Sequence, residues 1–250
     1  MKRMGWLLIL LAMMVAACGG QATPTPGEKP PVEPQREGQA MLERIHWLGH
    51  DAFRIDGPQT IYFDPYKLGK GNPKADVILI THDHSDHCSP GDVAKIQGDD
   101  TAIVTVAAAA AKLKGDIRIV KPGDRVTVKG IEVEAVPAYN LNKFRSPGVP
   151  FHPQESGYVG FVITLDGQRI YHAGDTDYIP EMADLGEIDI TFLPVSGTYV
   201  MTTDEAVEAA RTINPKVAIP MHIGRGIGSL EAARAFRENA PVEVVILEIE

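Results

Sequence analysis

The stretch from Asp76 to His87 reads Asp-Val-Ile-Leu-Ile-Thr-His-Asp-His-Ser-Asp-His. From Val77 to Ile80 it is a continuous apolar run, and Asp76 to Ile80 has the length that is typical of a buried β-strand. The part that follows gathers four side chains that can bind a metal ion, namely His82, His84, Asp86 and His87. A mixture of imidazole and carboxylate suits divalent ions such as zinc. The stretch therefore predicts a buried strand that ends in a metal site.

A polar loop that holds histidines by chance is the alternative interpretation of this cluster. It requires four of the less common side chains to gather at one strand end, where functional loops usually lie. We therefore favour the metal site. Cys88 directly follows the cluster, and the choice there is between a further ligand and a small buried apolar side chain, which we favour.

Apolar runs of strand length continue on both sides of the cluster and are separated by turn residues. Strands are predicted at Glu43–Trp47, Ala52–Ile55, Thr60–Phe63, Asp76–Ile80, Ala102–Val106, Ile117–Val120, Arg125–Val128, Ile131–Val136, Tyr158–Leu165, Arg169–His172, Ile188–Pro194, Val217–Met221 and Val242–Ile249. Helices are predicted from Ser89 to about Gln97, Ala107 to Leu113, Thr202 to about Ile213 and Leu230 to Glu238. Since these elements do not alternate as simple βαβ units, we expect an α/β fold, an αββα sandwich of two mixed sheets with helices on the outer faces.

The N-terminus predicts export. Lys2 and Arg3 precede an apolar run, Trp6 to Ala17, that is too short to span a bilayer comfortably and is typical of a secretion signal. Small residues before Cys18 resemble a bacterial lipoprotein processing box, which implies a lipid on Cys18 and an anchor on the extracytoplasmic face of a membrane. An uncleaved N-terminal anchor helix is the alternative.

Composition divides the chain into three parts. Residues 1–17 form the predicted signal, residues 18–40 form a lipidated, Pro-rich tether, and residues 41–250 form one folded domain. The tether holds too few large apolar residues to offset the entropy of ordering it. A formal net charge of −9 repels phosphate backbones at long range, so we expect no nucleic-acid partner. With Cys18 bound to lipid, Cys88 has no disulfide partner within the chain.

The His-x-His-x-Asp-His pattern of residues 82–87 resembles the motif of the metallo-β-lactamase superfamily at every defined position. Two later stretches, Tyr171–Thr176 and Pro220–His222, also resemble motifs of this superfamily. The resemblance covers nearly all of residues 44–250 and implies the metallo-β-lactamase fold. It further implies that Asp175 bridges two metal ions and that His222 binds the second ion together with Asp86 and His87.

Three further stretches, Trp47–His50, Phe63–Pro65 and Pro194–Gly197, look most like one branch of the superfamily. That branch contains the L-ascorbate-6-phosphate lactonase and the N-acylphosphatidylethanolamine-hydrolysing phospholipase D.

Asn140 departs from the superfamily pattern, which has a histidine there as the third ligand of the first metal. Three arrangements are open: Asn140 binds weakly, His152 replaces it from the following loop, or two histidines, Asp175 and water hold the ion. We favour His152. A weaker first site would shift the preferred metal from Zn²⁺ towards Mn²⁺ or Fe²⁺, whose sites tolerate more oxygen ligands.

Several residues near these motifs are candidates for supporting roles. Asp64 could orient an imidazole or simply form a turn before Pro65. His50 and His172 could line the site or pack beneath it. Cationic loop residues could hold an anionic group of a substrate or be solvated; they are Lys143, Arg145 and Arg225.

The predicted activity is metal-assisted hydrolysis of a small, possibly anionic ester, lactone, amide or phosphodiester. One or two divalent ions lower the pKa of a bound water from about 15.7 towards 7 and polarise the scissile group. Asp86 is the predicted catalytic residue that orients this water. The sequence has no Gly-x-Ser-x-Gly elbow that would favour a covalent nucleophile. The alternatives are a non-catalytic surface lipoprotein that binds or senses metal and, with less support from the acidic composition, a nuclease.

Overall fold

The computed structural model describes residues 39–250, so the predicted signal and most of the tether lie outside the described residues. Six strands form a first mixed sheet in chain order: β1 (Ile45–Gly49), β2 (Ala52–Ile55), β3 (Ile61–Phe63), β4 (Ala75–Ile80), β5 (Gln97–Thr105) and β6 (Asp116–Ile119). β1 to β3 pair antiparallel, and β3 to β6 pair in parallel. The predicted meander and the buried strand Asp76–Ile80 are both confirmed.

Seven strands form a second mixed sheet: β7 (Arg125–Val128), β8 (Ile131–Pro137), β11 (Val159–Leu165), β12 (Gln168–His172), β13 (Ile190–Pro194), β14 (Val217–Met221) and β15 (Glu243–Val244). β12 to β15 run in parallel, whereas β7, β8, β11 and β12 pair antiparallel. A separate hairpin, β9 (Phe144–Ser146) with β10 (Val149–Pro150), lies between β8 and β11 in the chain.

The two sheets pack face to face through aromatic side chains. The ring of Phe53 on β2 lies 4.3 Å from that of Phe192 on β13, and Phe63 on β3 lies 6.1 Å from Phe192. All three rings are fully buried. Burial of such rings is the main source of stability in a core of this kind.

The helices that accompany the sheets include α1 (Pro90–Ile96), α2 (Ala107–Ala110), α3 (Thr203–Ile213) and α4 (Leu230–Asn239). α3 contacts β13, and α4 contacts β14. The predicted caps are present, since Ser89 accepts from the backbone N–H of Asp92 and Thr202 forms a capping box with Glu205. The predicted sandwich of two mixed sheets with added helices is confirmed.

Within residues 39–250, no helix is long and apolar enough to cross a membrane.

Two predicted elements are shorter in the structure. The predicted last strand pairs with β14 only at Glu243–Val244, after which Ile249 forms a bridge with Trp47 on β1. The C-terminal segment therefore crosses from the second sheet to the edge of the first. The helix from Ala107 ends at Ala110 rather than at Leu113.

Candidate metal centre

The predicted ligands lie at the carboxyl ends of strands from both sheets. β4 ends just before the histidine cluster, β12 ends three residues before Asp175, and β14 ends immediately before His222. Because β12, β13 and β14 run in parallel, their carboxyl ends open at one edge of the second sheet. Binding sites of α/β sheets typically occur at such an edge.

Three imidazoles form a first group of potential ligands: His82, His84 and His152. The Nδ1 atom of His84 lies 3.0 Å from His82 Nε2 and 3.2 Å from His152 Nε2. Three nitrogens this close have the spacing of ligands to one ion, and neutral imidazoles suit zinc.

The hairpin explains how His152 reaches this group. The chain leaves the sheet after Pro137, passes Asn140, folds through β9 and β10, and returns so that the Asn140 N–H donates to the carbonyl of His152 at 2.8 Å. Asn140 Oδ1 in turn accepts from the backbone N–H and from Nδ1 of His152, both at 2.9 Å. Of the three arrangements considered, the structure brings His152 into the group and places Asn140 behind it, where it orients the ring.

A second group consists of Asp51, His87, Asp175 and His222, and a third overlaps it and consists of His50, His87 and His222. Asp175 lies between the first and second groups. Its carboxylate oxygens are 3.2 Å from His152 Nε2, 3.3 Å from His87 Nε2 and 3.4 Å from His222 Nε2. This position fits the bridging role that the resemblance implies.

Asp86 does not belong to any of these groups. Its side chain is 35% exposed, and its Oδ2 lies 3.5 Å from Nε2 of His50. The turn after His84 points Asp86 towards His50 and an adjoining cavity, so its predicted role as a ligand of the second ion stays a prediction.

Buried polar atoms fix the orientation of three further imidazoles. Thr81 Oγ1 accepts from His82 Nδ1 at 2.9 Å and donates to Asp64 Oδ2 at 2.7 Å. Asp64 Oδ2 also accepts from His87 Nδ1 at 2.8 Å. His222 Nδ1 lies 2.8 Å from Ser196 Oγ. With Nδ1 occupied, each ring presents Nε2 to the centre, which is how outer partners tune metal ligands.

Three residues of the centre have backbone conformations that non-glycine residues rarely adopt. The φ angles of His50, Asp64 and His222 are 57°, 41° and 57°. Each left-handed residue costs about 1 kcal/mol or more. Such strain persists only where surrounding contacts hold the chain, and it clusters at functional sites.

The imidazoles of the centre differ in whether their surroundings lower or raise the pKa. Burial, together with the neighbouring imidazoles, lowers the pKa of His50 to about 2 and lowers the pKa of His82 well below its ordinary value. For His87, burial acts in the same direction, but the carboxylates of Asp175 and Asp64 outweigh it and raise the pKa. For Asp175, burial opposes ionisation, yet His87 and His222 hold the pKa well below its usual range. Asp175 is therefore ionised at neutral pH.

The remaining candidates take other places. Lys143 pairs with Glu205 at 2.8 Å and with Asp177 at 3.3 Å, so it anchors its loop. It is neither available to hold an anionic substrate group nor simply solvated, the two roles considered for it from the sequence. Arg225 is also engaged, since Nη2 donates to the carbonyl of Leu48 at 3.0 Å. Arg145 lies beside Phe151, with its guanidinium 5.6 Å from the ring.

His172 and Cys88 pack beneath the centre. The His172 ring stacks on Phe63 at 4.9 Å, and its Nε2 lies 3.0 Å from the carbonyl oxygen of Asp51. Cys88 is buried, which raises the pKa of its thiol to about 11. Its Sγ lies 3.9 Å from the carbonyl of Ala109. These contacts fit the interpretation of Cys88 as a small buried apolar side chain rather than as a further metal ligand.

The donor atoms of the second group fit a divalent cation. His87 Nε2, His222 Nε2, Asp175 Oδ1 and both carboxylate oxygens of Asp51 are buried without a hydrogen-bond partner. Buried polar atoms without partners are costly unless something binds them. Imidazole and carboxylate donors together are the set that zinc, manganese and iron use.

Sequence reasoning missed two parts of this centre. Asp51 directly precedes the predicted strand Ala52–Ile55, a position that also suits an ordinary turn residue, so the sequence does not single it out as a ligand. Ser196 follows β13, and the sequence does not predict its contact with His222 because that contact depends on the parallel pairing of β13 with β14.

The fold and the two ligand groups together define a metal-dependent hydrolase of the metallo-β-lactamase fold. A family model described as the beta-lactamase superfamily domain matches residues 44–222, and the chain belongs to this superfamily. A UPF0173 metal-dependent hydrolase of Thermoplasma acidophilum is 37% identical over 195 residues, which covers 72% of this chain and 82% of the relative.

Solved structures agree with this assignment. A crystal structure from Parabacteroides distasonis, of a protein provisionally assigned as a metal-dependent hydrolase, is 36% identical with a TM-score of 0.73 and covers 82% of this chain and 93% of that one. A metallo hydrolase of Ignicoccus hospitalis is 23% identical with a TM-score of 0.64, covers 82% of this chain and 94% of that one, and shows the shared fold.

Proposed function

We propose that the chain hydrolyses a small ester, lactone, amide or phosphodiester at the two ligand groups on either side of Asp175. The observation that carries the proposal is a cavity of about 280 Å³ that opens onto the first group and onto Asp175 of the second. It is lined by His84, Ser85, Asp86, Phe151, His152, Asp175 and Tyr199. A bound divalent ion would supply an acidified water and polarise the scissile group.

The residues that line the cavity have different proposed roles. Asp175 and His152 both line it and lie 3.2 Å apart where the two ligand groups meet. Asp86 lines the cavity with a partly exposed carboxylate, a position from which it can accept a proton and orient an attacking water. The catalytic role predicted for Asp86 therefore remains a proposal with a geometric basis, separate from its predicted role as a ligand.

The mouth of the cavity suggests which substrates fit. Phe151 and Tyr199 form an edge-to-face pair, with ring centroids 4.5 Å apart, along one wall. Arg145 does not line the cavity but stands beside Phe151, to whose carbonyl its Nη2 donates at 3.4 Å, and we propose that its remaining N–H groups meet an anionic group. We propose a substrate that carries an apolar or aromatic group next to the scissile bond, with a negative charge further out.

We propose zinc as the metal, because the three imidazoles of the first ligand group suit zinc better than manganese. The resemblance to the lactonase and phospholipase branch supports lactones and phosphodiesters as the first classes to try. Because the fold hosts many reactions, the substrate has to be found by assay.

The test is a panel of lactones, esters, amides and phosphodiesters, each in a small and an aromatic form, assayed with the zinc-loaded chain. We expect turnover of at least one class, better with the aromatic form, and loss of that turnover in Asp175→Ala with circular dichroism unchanged. Arg145→Gln should raise KM for anionic substrates, whereas Arg118→Gln, a change at an exposed arginine on β6, should not. Bound zinc without turnover of any class would favour the metal-sensing alternative.

We also propose that the chain is exported and anchored through a lipid on Cys18, on the strength of the basic and apolar stretch that precedes that residue. Partition into the detergent phase of a cloud-point extraction is the test. Cys18→Ala should move the chain to the aqueous phase, and unchanged partition would instead favour an uncleaved anchor helix.

A further inference from the structure

The turn between β1 and β2 brings a buried carboxylate to the second ligand group. Asp51 is completely buried, and neither of its carboxylate oxygens has a hydrogen-bond partner. Its Oδ2 lies 3.8 Å from His87 Nε2 and 3.8 Å from His50 Nδ1. Leaving a carboxylate without a donor or a cation in a protein interior is among the costliest arrangements a fold can make.

Hydrogen bonds fix the backbone around Asp51, whereas its carboxylate oxygens make none. The His50 N–H donates to the carbonyl of Ile223 at 2.9 Å, and Trp47 Nε1 donates to the carbonyl of His50 at 2.9 Å. His172 Nε2 lies 3.0 Å from the carbonyl oxygen of Asp51. These three contacts come from both sheets, so the turn cannot simply rotate the carboxylate out to solvent.

We infer that Asp51 is a ligand of the second metal ion, together with His87, Asp175 and His222. Each of the four offers one donor atom, and these atoms all lie within 4.8 Å of one another. Two carboxylates and two imidazoles give the set a charge that a divalent cation neutralises. The inference rests on the metal centre of the proposed function and names a ligand that the superfamily motif does not include.

Asp51 takes the place that the resemblance gives to Asp86. The Asp86 side chain is 35% exposed, whereas that of Asp51 is inaccessible to solvent. Asp86 borders the cavity, and Asp51 is not among the residues that line it. The two carboxylates therefore have separate tasks: Asp51 holds an ion from the protein side, and Asp86 faces the substrate.

The experiment measures metal binding rather than activity. The full chain is stripped with a chelator and titrated with Zn²⁺ by calorimetry, and bound zinc is counted by elemental mass spectrometry. We expect two equivalents for the natural chain. Since loss of an outer partner alone costs about 10–100-fold in metal affinity, Asp51→Asn should keep the first equivalent and bind the second at least about 100-fold more weakly.

Asp56→Asn is the matched control, because Asp56 directly follows β2 and is 40% exposed on the surface. It should bind both equivalents like the natural chain. If Asp51→Asn also binds both with unchanged affinity, the inference is wrong.

A second measurement uses the natural chain, so its outcome does not depend on whether a substituted variant folds. In crystals of the zinc-loaded chain, anomalous scattering locates the ions, and an oxygen of Asp51 should lie about 2.0–2.2 Å from the second ion. An ion bound by His50 or Asp86 with Asp51 out of reach would overturn the assignment. Two ions with Asp51 as a ligand but no turnover would refute the proposed hydrolysis and leave this inference intact.

Discussion

At the scale of single residues, the centre depends on side chains that the ion would not touch. Asn140 was expected to compete with His152 for the first metal, and in the structure it positions that histidine instead. No pattern in the sequence distinguishes the two roles, because both place Asn140 at the same strand end. The difference arises from the hairpin that returns His152 to Asn140, which is a long-range contact.

Asn140→Ala tests this positioning role. Without the amide oxygen, His152 loses acceptors for its backbone N–H and for Nδ1, so the ring is free to turn. We expect zinc affinity at the first group to fall about 10–100-fold. Calorimetric titration is the measurement, with Asn239→Ala as the control, since Asn239 bonds only within α4. Unchanged affinity in Asn140→Ala would contradict the role.

Thr81→Val separates metal binding from stability. Thr81 Oγ1 connects His82 Nδ1 to Asp64, and the valine is nearly isosteric. Leaving these buried partners unpaired costs about 1–3 kcal/mol of unfolding free energy. Thr105→Val removes a similar buried hydroxyl, which donates to the Ile80 carbonyl on the same sheet. Denaturant titration should show a loss in both variants, and zinc affinity should fall only in Thr81→Val.

At the scale of elements, predictions were most successful where the pattern is local. Runs such as Asp76–Ile80 fix a strand by composition alone, and the Thr202 cap is a short-range signal that the structure reproduces. The β9–β10 hairpin escaped prediction because its strands are three and two residues long and largely exposed, so neither alternation nor burial marks them.

Glu205 links α3 to the loop that leads into that hairpin. It accepts from the Thr202 N–H, from Asn142 and from Lys143. Burial opposes ionisation, but the bonds from Lys143 and Asn142 outweigh it and lower the pKa to about 2. A carboxylate whose pKa is lower in the folded state stabilises the fold above its ordinary pKa of 4.5, and this stabilisation is lost as pH falls towards 2.

The lowered pKa of Glu205 predicts how the stability of Glu205→Gln depends on pH. At pH 7 the variant should melt at a lower temperature than the natural chain, and the difference should shrink between about pH 4.5 and pH 2. Glu208→Gln is the control, since Glu208 on the same helix is 56% exposed, and its melting temperature should hardly change. A gap of constant size across this range would rule out the ionised carboxylate as its cause.

Gly160 on β11 illustrates how closely the second sheet is packed where β12 ends. A Cβ atom there would lie 2.7 Å from the carbonyl oxygen of His172 and 2.8 Å from that of Ala173. Gly160→Ala should therefore force the strands apart and cost about 1–3 kcal/mol. Gly91→Ala, in α1 with open space around it, should be neutral or slightly stabilising. Equal unfolding free energies for the two variants would contradict this account.

At the scale of the whole molecule, the fold class was predictable from the order of elements, and the composition of the centre only in part. Sequence motifs place His84 and Asp175 near strand ends, but they do not say how far apart two sheets bring those ends. Asp51 enters from the first sheet and His222 from the second, and they meet because the two sheets pack face to face, with Phe53 against Phe192 in the core between them.

An ion at this centre would hold the two sheets together, which predicts a strong effect of metal on stability. The β1–β2 turn and the segment after β4 belong to the first sheet, while Asp175 and His222 follow strands of the second. Zinc that binds only the folded chain adds about 2.7 kcal/mol at 100 times its Kd. Melting followed by circular dichroism should therefore shift upward when zinc is added to the chelator-treated chain. Asp175→Ala, which removes the shared ligand, should abolish most of the shift. A melting temperature that zinc leaves unchanged in the natural chain would mean that the buried donors of the two sheets do not bind it.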